Sequence, residues 1–188
     1  MIKLEKGSPD IEPLRFVAQA TAVKDIRRYY LNWVHVEPER IVATDGHRLH
    51  IARVEVPVNG DTWYPHDSGD ARHYTMEKNN KTAVTMAPVD NESGANYPDI
   101  DRVIPDTTGR TMIELGTCKA KDWQKISCGY TALIRAMSDY TVNFDYYAQV
   151  ATHCGYAWLS GAGESILFTD TAVVSEAKYT AVIMPMRT

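Results

Sequence analysis

The spacing of apolar positions changes several times along the chain, and each change marks an element. Leu14, Val17 and Ala18 recur at helical spacing within residues 11–23. Asp10 stands where an N-cap belongs, and Pro13 falls in the first turn, where a missing N–H is harmless. This spacing predicts a helix. Residues 26–36 (IRRYYLNWVHV) are aromatic and β-branched and read as a strand. A turn at 37–40 leads to a second strand at 41–44. Asp45-Gly46 then signals a tight turn into a third strand over 48–56.

Residues 57–106 have a different texture. Gly60, the 67–70 cluster (DSGD), Asn79-Asn80 and the 91–94 cluster (NESG) punctuate two short strand candidates, 72–77 and 82–87. They predict an irregular β meander without a helix, ending in a proline-bounded linker at 96–105. From Arg110 the pattern restarts with a strand at 111–115. Trp123, Ile126, Tyr130, Leu133, Ile134 and Met137 then share an arc of about 100° on a helical wheel. Lys121, Lys125 and Arg135 fall on the opposite side. Gly129 interrupts this run and offers a place to bend or split the helix. Strands are expected at 141–152, 165–168, 172–177 and 180–186. Helix plus strands, a β-rich middle, then helix plus strands again make an α+β fold, with helices packed on antiparallel sheets.

Composition alters this picture little. The 188 residues are 44% hydrophobic and 23% charged, as in an ordinary globular protein. No apolar run approaches the roughly 20 residues that span a bilayer, and no leader pattern follows Met1, so a cytoplasmic protein is expected. A net charge of −4 argues against wrapping nucleic acid over the whole surface. One basic face remains compatible with it. Cys118, Cys128 and Cys154 are an odd set without ligand spacing, and buried reduced thiols are expected. His47 and His50 point to opposite faces of a strand, which disfavours a shared metal. No nucleophile elbow, phosphate loop or carboxylate pair appears, so neither a catalytic set, a cofactor nor a metal is expected.

Three segments combine apolar, small and cationic residues: TDGHRL at 44–49, YPDIDRVIP at 97–105 and VIMPMR at 182–187. In this order they resemble the β subunit of bacterial DNA polymerase III, the sliding clamp. That family has a near-identical TDGHRL turn, an FPDYRRVLP-like segment between domains and a VVMPMR-like terminal strand. Residues 25–32 also resemble the strand before that turn. The resemblance implies a DNA-clamp fold and a hydrophobic groove that receives short linear peptides of polymerases, the clamp loader or repair proteins. Carried over by match, the groove would use Thr44, Gly46, His47, Arg48 and Leu49. Pro98, Arg102 and Val103 would join them, with Val182, Ile183, Met184, Pro185, Met186 and Arg187. Methionines suit such a trough because they adapt to varied apolar anchors.

The chain is about half the length of a clamp subunit, which implies one to two clamp-type domains, divided as 1–105 and 106–188. Clamp helices face DNA, and Lys121, Lys125 and Arg135 would do so here. Two functions follow: a homo-oligomeric processivity factor around double-stranded DNA, or a non-ring decoy that captures clamp-binding partners. A third class, a small enzyme on an unrelated α+β fold, lacks residues to fill its roles.

Overall fold

Local hydrogen bonds decide where the elements start and stop. In the computed structural model, residues 2–54, 72–80, 82–89, 96–137, 140–161 and 163–187 are described. The glycine- and aspartate-rich clusters at 60, 67–70 and 91–94 lie outside them. The chain divides into two compact units, Met1–Pro98 and Asp99–Thr188.

In the first unit, helix α1 (Ile11–Ala18) buries Leu14, Phe16 and Val17. Burial of such side chains is worth about 1.5–3 kcal/mol each. Asp10 occupies the N-cap position but makes no capping hydrogen bond. The helix stops five residues short of the expected end. There the Thr21 hydroxyl donates to the Ala18 carbonyl at 2.9 Å and Ala22 N–H turns to Leu31.

The predicted strand at 26–36 is mostly something else. The Asp25 carboxylate accepts the N–H groups of Arg27 and Arg28, while Asp25 and Asn32 bond reciprocally at 3.0 Å. This clasp curls the backbone into a 3-10 turn at Tyr29–Asn32, leaving β2 only Val34–Val36. Aromatic β-propensity yields here to side-chain competition for backbone groups.

Six strands follow the order β1 (Ile2–Glu5), β6 (Ala83–Pro88), β5 (Arg72–Asn79), β2, β3 (Arg40–Thr44) and β4 (Arg48–Arg53), every neighbour antiparallel. The pattern over 72–87 predicts both β5 and β6, whereas β1 was not expected. Helix α1 lies on β3 and β4, and Ile41, Met86 and Val42 complete the core.

The second unit orders β11 (Tyr179–Ile183), β10 (Ile166–Thr169), β9 (Tyr156–Leu159) and β7 (Thr111–Glu114), again antiparallel. A separate small ladder joins β12 (Met186–Arg187) to β8 (Tyr140–Thr141). Helix α2 (Trp123–Ala136) begins at Asp122, whose carboxylate accepts Lys125 N–H. Its buried stripe is Ile126, Gly129 and Leu133. Trp123, expected on the apolar face, is 59% exposed, and Lys121 precedes the helix with φ +76°. Helix α2 runs unbroken through Gly129. The missing side chain there makes room for Tyr147, because an added Cβ would overlap its hydroxyl oxygen.

Two expected strands are helical. Residues 141–152 contain α3 (Phe144–Val150), because the Asn143 side chain accepts the N–H groups of Asp145 and Tyr146. Residues 172–177 hold a 3-10 turn, Val174–Glu176, started where the Thr171 hydroxyl accepts Val173 N–H at 2.9 Å. Strand β9 was missed. The thiols are free, but only Cys154 is buried; Cys118 is half-buried and Cys128 exposed on α2, against the expectation that all three lie inside.

Candidate functional site

In the first unit, TDGHRL is a hairpin loop closing β3 and β4, whose last paired residues are Thr44 and Leu49. The Thr44 and Asp45 side chains tie the turn together. The Thr44 hydroxyl donates to Arg48 O at 2.7 Å and accepts Gly46 N–H at 3.0 Å. One Asp45 oxygen accepts His47 and Arg48 N–H at 2.9 and 3.0 Å, and the other binds Arg48 Nε at 3.1 Å. Gly46 sits at φ +89°, and a Cβ there would meet Arg28 Nη1 at 2.8 Å. Gly46 and His47 face solvent, whereas Leu49 is buried in the core.

Tyr97 and the exposed Pro98 end this unit. Tyr97 lies flat on His35, ring centroids 4.5 Å apart at 2°. Burial pushes its phenol well up, and the Thr44 backbone beside it acts weakly the other way. His35 and His73 are cross-strand partners, with His35 Nδ1 3.0 Å from His73 Nε2. His35 Nε2 lies 3.1 Å from Glu37 Oε1, and the other Glu37 oxygen accepts from Arg40 Nε. Burial alone would raise Glu37, but the bonds from His35 and Arg40 outweigh it and hold the carboxyl below its usual range. This cluster was not expected, although alternating His35 and Glu37 on one strand face was its available signal.

Burial, with His35 second, holds the His73 imidazole below its ordinary value. An unfolded chain therefore takes up a proton that the folded chain refuses. Stability should fall as pH drops through the unfolded histidine value of about 6.5, and level off below the folded one. Denaturant midpoints measured from pH 7.5 to 5 should decline more steeply for the wild type than for His73→Gln. Coincident slopes would refute this.

The second unit carries the remaining expected residues. Asp99–Val103 forms a turn pinned by buried Ile100, with Val103 N–H donating to Ile100 O at 3.0 Å. Arg102 projects into solvent and bonds Asp99 at 2.9 Å, and Val103 is 44% exposed. Val182 and Ile183 lie on β11 inside the core, so their side chains offer a ligand no surface as folded. Met184 and Met186, 45% and 44% exposed, flank half-buried Pro185. Arg187 follows on β12, paired with Tyr140. Exposed aliphatic thioethers at alternate positions are what an adaptable apolar contact requires.

Lys125 and Arg135 are exposed on α2 and Lys121 in the loop before it; Lys125 stands 3.9 Å from Asp122. A cavity of about 400 Å³ lies beside the same helix, lined by Glu114, Cys118, Lys125, Gly129 and Tyr147 among others. It includes no residue of the three segments. Among the described residues, no group of three acidic, histidine or cysteine side chains could hold a metal, and no helix is long and apolar enough to cross a membrane.

No protein-family model and no curated protein matches the sequence. Solved structures do match, over the whole chain. The Caulobacter crescentus pol III beta aligns with a TM-score of 0.60 at 17% identity, covering 100% of this chain and 65% of that one. The Pseudomonas aeruginosa DnaN sliding clamp bound to griselimycin aligns at 0.58 and 16%, covering 100% and 66%. The beta subunit of Thermotoga maritima DNA polymerase III gives 0.58 and 16%, covering 100% and 65%. This chain thus spans about two thirds of the length of the clamps it matches, in the same α+β arrangement of helices on antiparallel sheets. It carries the fold of the bacterial DNA polymerase III β sliding clamp.

Proposed function

We propose that this chain is a clamp-like protein, non-catalytic, that binds short linear peptides of DNA polymerases or their accessory proteins. The observation that carries the reading is the whole-chain likeness to sliding clamps. The ordered segments TDGHRL, YPDIDRVIP and VIMPMR support it independently. Gly46, His47 and Arg48 would supply one wall of the groove, Pro98, Arg102 and Val103 another, and Met184, Pro185, Met186 and Arg187 the third. Thr44, Leu49, Val182 and Ile183 would support the groove from behind, since their side chains brace the turn or fill the core. Flexible thioethers beside arginines suit a peptide with Leu or Phe anchors and a polar remainder. The two compact units would be the clamp-type modules, and a homo-oligomer would be needed to enclose double-stranded DNA. Lys121, Lys125 and Arg135 would then face the phosphates.

The test is fluorescence anisotropy with a labelled peptide from the C-terminal tail of a bacterial polymerase. Met184→Ala with Met186→Ala should weaken binding at least about tenfold, the loss of roughly 1.4 kcal/mol of apolar contact. Unchanged affinity in that variant, or no binding by the wild type, sinks the groove. A net charge of −4, unfavourable for enclosing DNA, favours a second reading, a non-ring decoy that captures clamp-binding partners. Sedimentation separates them. A closed ring supports the processivity factor, and a peptide-binding monomer supports the decoy.

A further inference from the structure

A hydrogen bond between two imidazoles works only while one of the facing nitrogens lacks a proton. His35 and His73 meet in this way, Nδ1 to Nε2 at 3.0 Å, as register partners on β2 and β5. Glu37 reaches the far nitrogen of His35 at 3.1 Å, and Arg40 from β3 secures Glu37. Trp33 leans on His73 at 5.1 Å, and Tyr97 covers His35 at 4.5 Å. Tyr97 also lies 6.0 Å from the His73 ring.

The two protons that this pair can gain have opposite consequences. The first is accommodated on His35, where one N–H donates to the Glu37 carboxylate and the other to the bare nitrogen of His73. A second proton puts a hydrogen on both facing nitrogens and two positive charges 3.0 Å apart. The bond between the rings is then lost and like charges repel, so the rings must separate. Glu37 already serves His35 and Arg40, so it does not neutralise the new charge.

Tyr97 connects this event to the proposed groove. It rests on His35, immediately precedes Pro98, and buries its hydroxyl beside the Thr44 backbone at the root of the TDGHRL turn. We propose that the His35–His73 pair is a proton-operated release for peptides held at this site, its double protonation unseating Tyr97 and with it the turn and Pro98. This rests on the peptide-groove reading.

The experiment measures affinity for the same labelled polymerase-tail peptide from pH 7.5 to 5.0, beside NMR titration of the histidine and Tyr97 rings. Affinity should fall by up to about tenfold per pH unit below the His73 midpoint, the limit for one linked proton. In His73→Gln the side-chain amide can donate to or accept from His35 but cannot charge, and the dependence should flatten to less than about twofold. His47 is present in both proteins, so its contribution cancels. The Tyr97 ring signals of the wild type should move at the His73 midpoint. Equal pH profiles in the two proteins, or a Tyr97 spectrum unmoved through that midpoint, overturn the proposal. Absence of peptide binding at pH 7.5 instead overturns the groove reading beneath it.

Discussion

Gly129→Ala should lower the stability of the second unit by about 2–3 kcal/mol, the cost of forcing a methyl group against a buried tyrosine. The position is mid-helix, where alanine ordinarily gains about 1 kcal/mol over glycine. The expected sign is therefore opposite to the one that propensity gives. The cause is the Tyr147 hydroxyl, which occupies the space a Cβ would need, and Tyr147 Cζ would lie 3.3 Å from that Cβ. Tyr147 cannot retreat easily, since it is buried between Tyr130 and Phe168. Its phenol is pushed up to about 12 by burial and by Cys118, so it stays neutral through the working range. The double variant Gly129→Ala with Tyr147→Phe separates steric overlap from general helix effects. Removing the oxygen should restore most of the loss, with a coupling of at least about 1 kcal/mol in the cycle. Chemical denaturation of the four proteins checks it. A single variant as stable as the wild type would show that glycine is there for another reason.

That residue marks the limit of what periodicity can read. The 3.6-residue pattern located α2 and its stripe through Ile126 and Leu133, because those residues fill the core. It could not tell that Gly129 belongs to the stripe, since a glycine has no hydrophobic signature and its partner lies 18 positions later. Trp123 misled in the opposite direction, being apolar by type but standing in solvent at the first turn. Where the reading failed outright, one polar side chain had redirected the backbone. Asn143 starts α3 inside a segment rich in strand formers, and Asp25 with Asn32 folds the 26–33 stretch onto itself. Such capping acts over two to seven residues and is invisible to a hydrophobic average.

The site was legible to a different depth. The segments around Thr44, Tyr97 and Val182 were recognisable as strings, but strings do not separate residues that build a turn from residues that meet a ligand. The structure sorts them by exposure: Met184, Met186, Val103, Arg102, Gly46 and His47 outward, Leu49, Val182 and Ile183 inward. The His35–His73 pair leaves no local trace in the sequence, because its members are 38 positions apart and meet only through strand register.

Asp45→Ala should be the most damaging change to a polar side chain of the first unit's hairpin turn, at about 2 kcal/mol, since it strands polar groups that the carboxylate satisfies. Two backbone N–H groups, of His47 and Arg48, lose their acceptor, and Arg48 Nε loses the carboxylate it donates to. The pair is largely shielded from water, with side-chain exposures of 10% for Arg48 and 14% for Asp45, so solvent does not replace the lost bonds cheaply. Asp45→Asn keeps one acceptor oxygen for the N–H groups and gives up only the charge, and should cost about half as much. Hydrogen exchange at His47 and Arg48 reports the turn, and denaturation reports the unit. If Asp45→Ala exchanges and unfolds like the wild type, the turn is held by Thr44 and strand pairing alone. His47→Ala completes the argument. Its side chain faces solvent, so stability should stay within about 0.5 kcal/mol. Any weakening of polymerase-peptide binding in that variant then belongs to contact and not to folding. An Asp45 variant that loses both stability and binding, beside a His47 variant that loses binding alone, would divide TDGHRL into residues that shape the turn and a residue the turn exists to present.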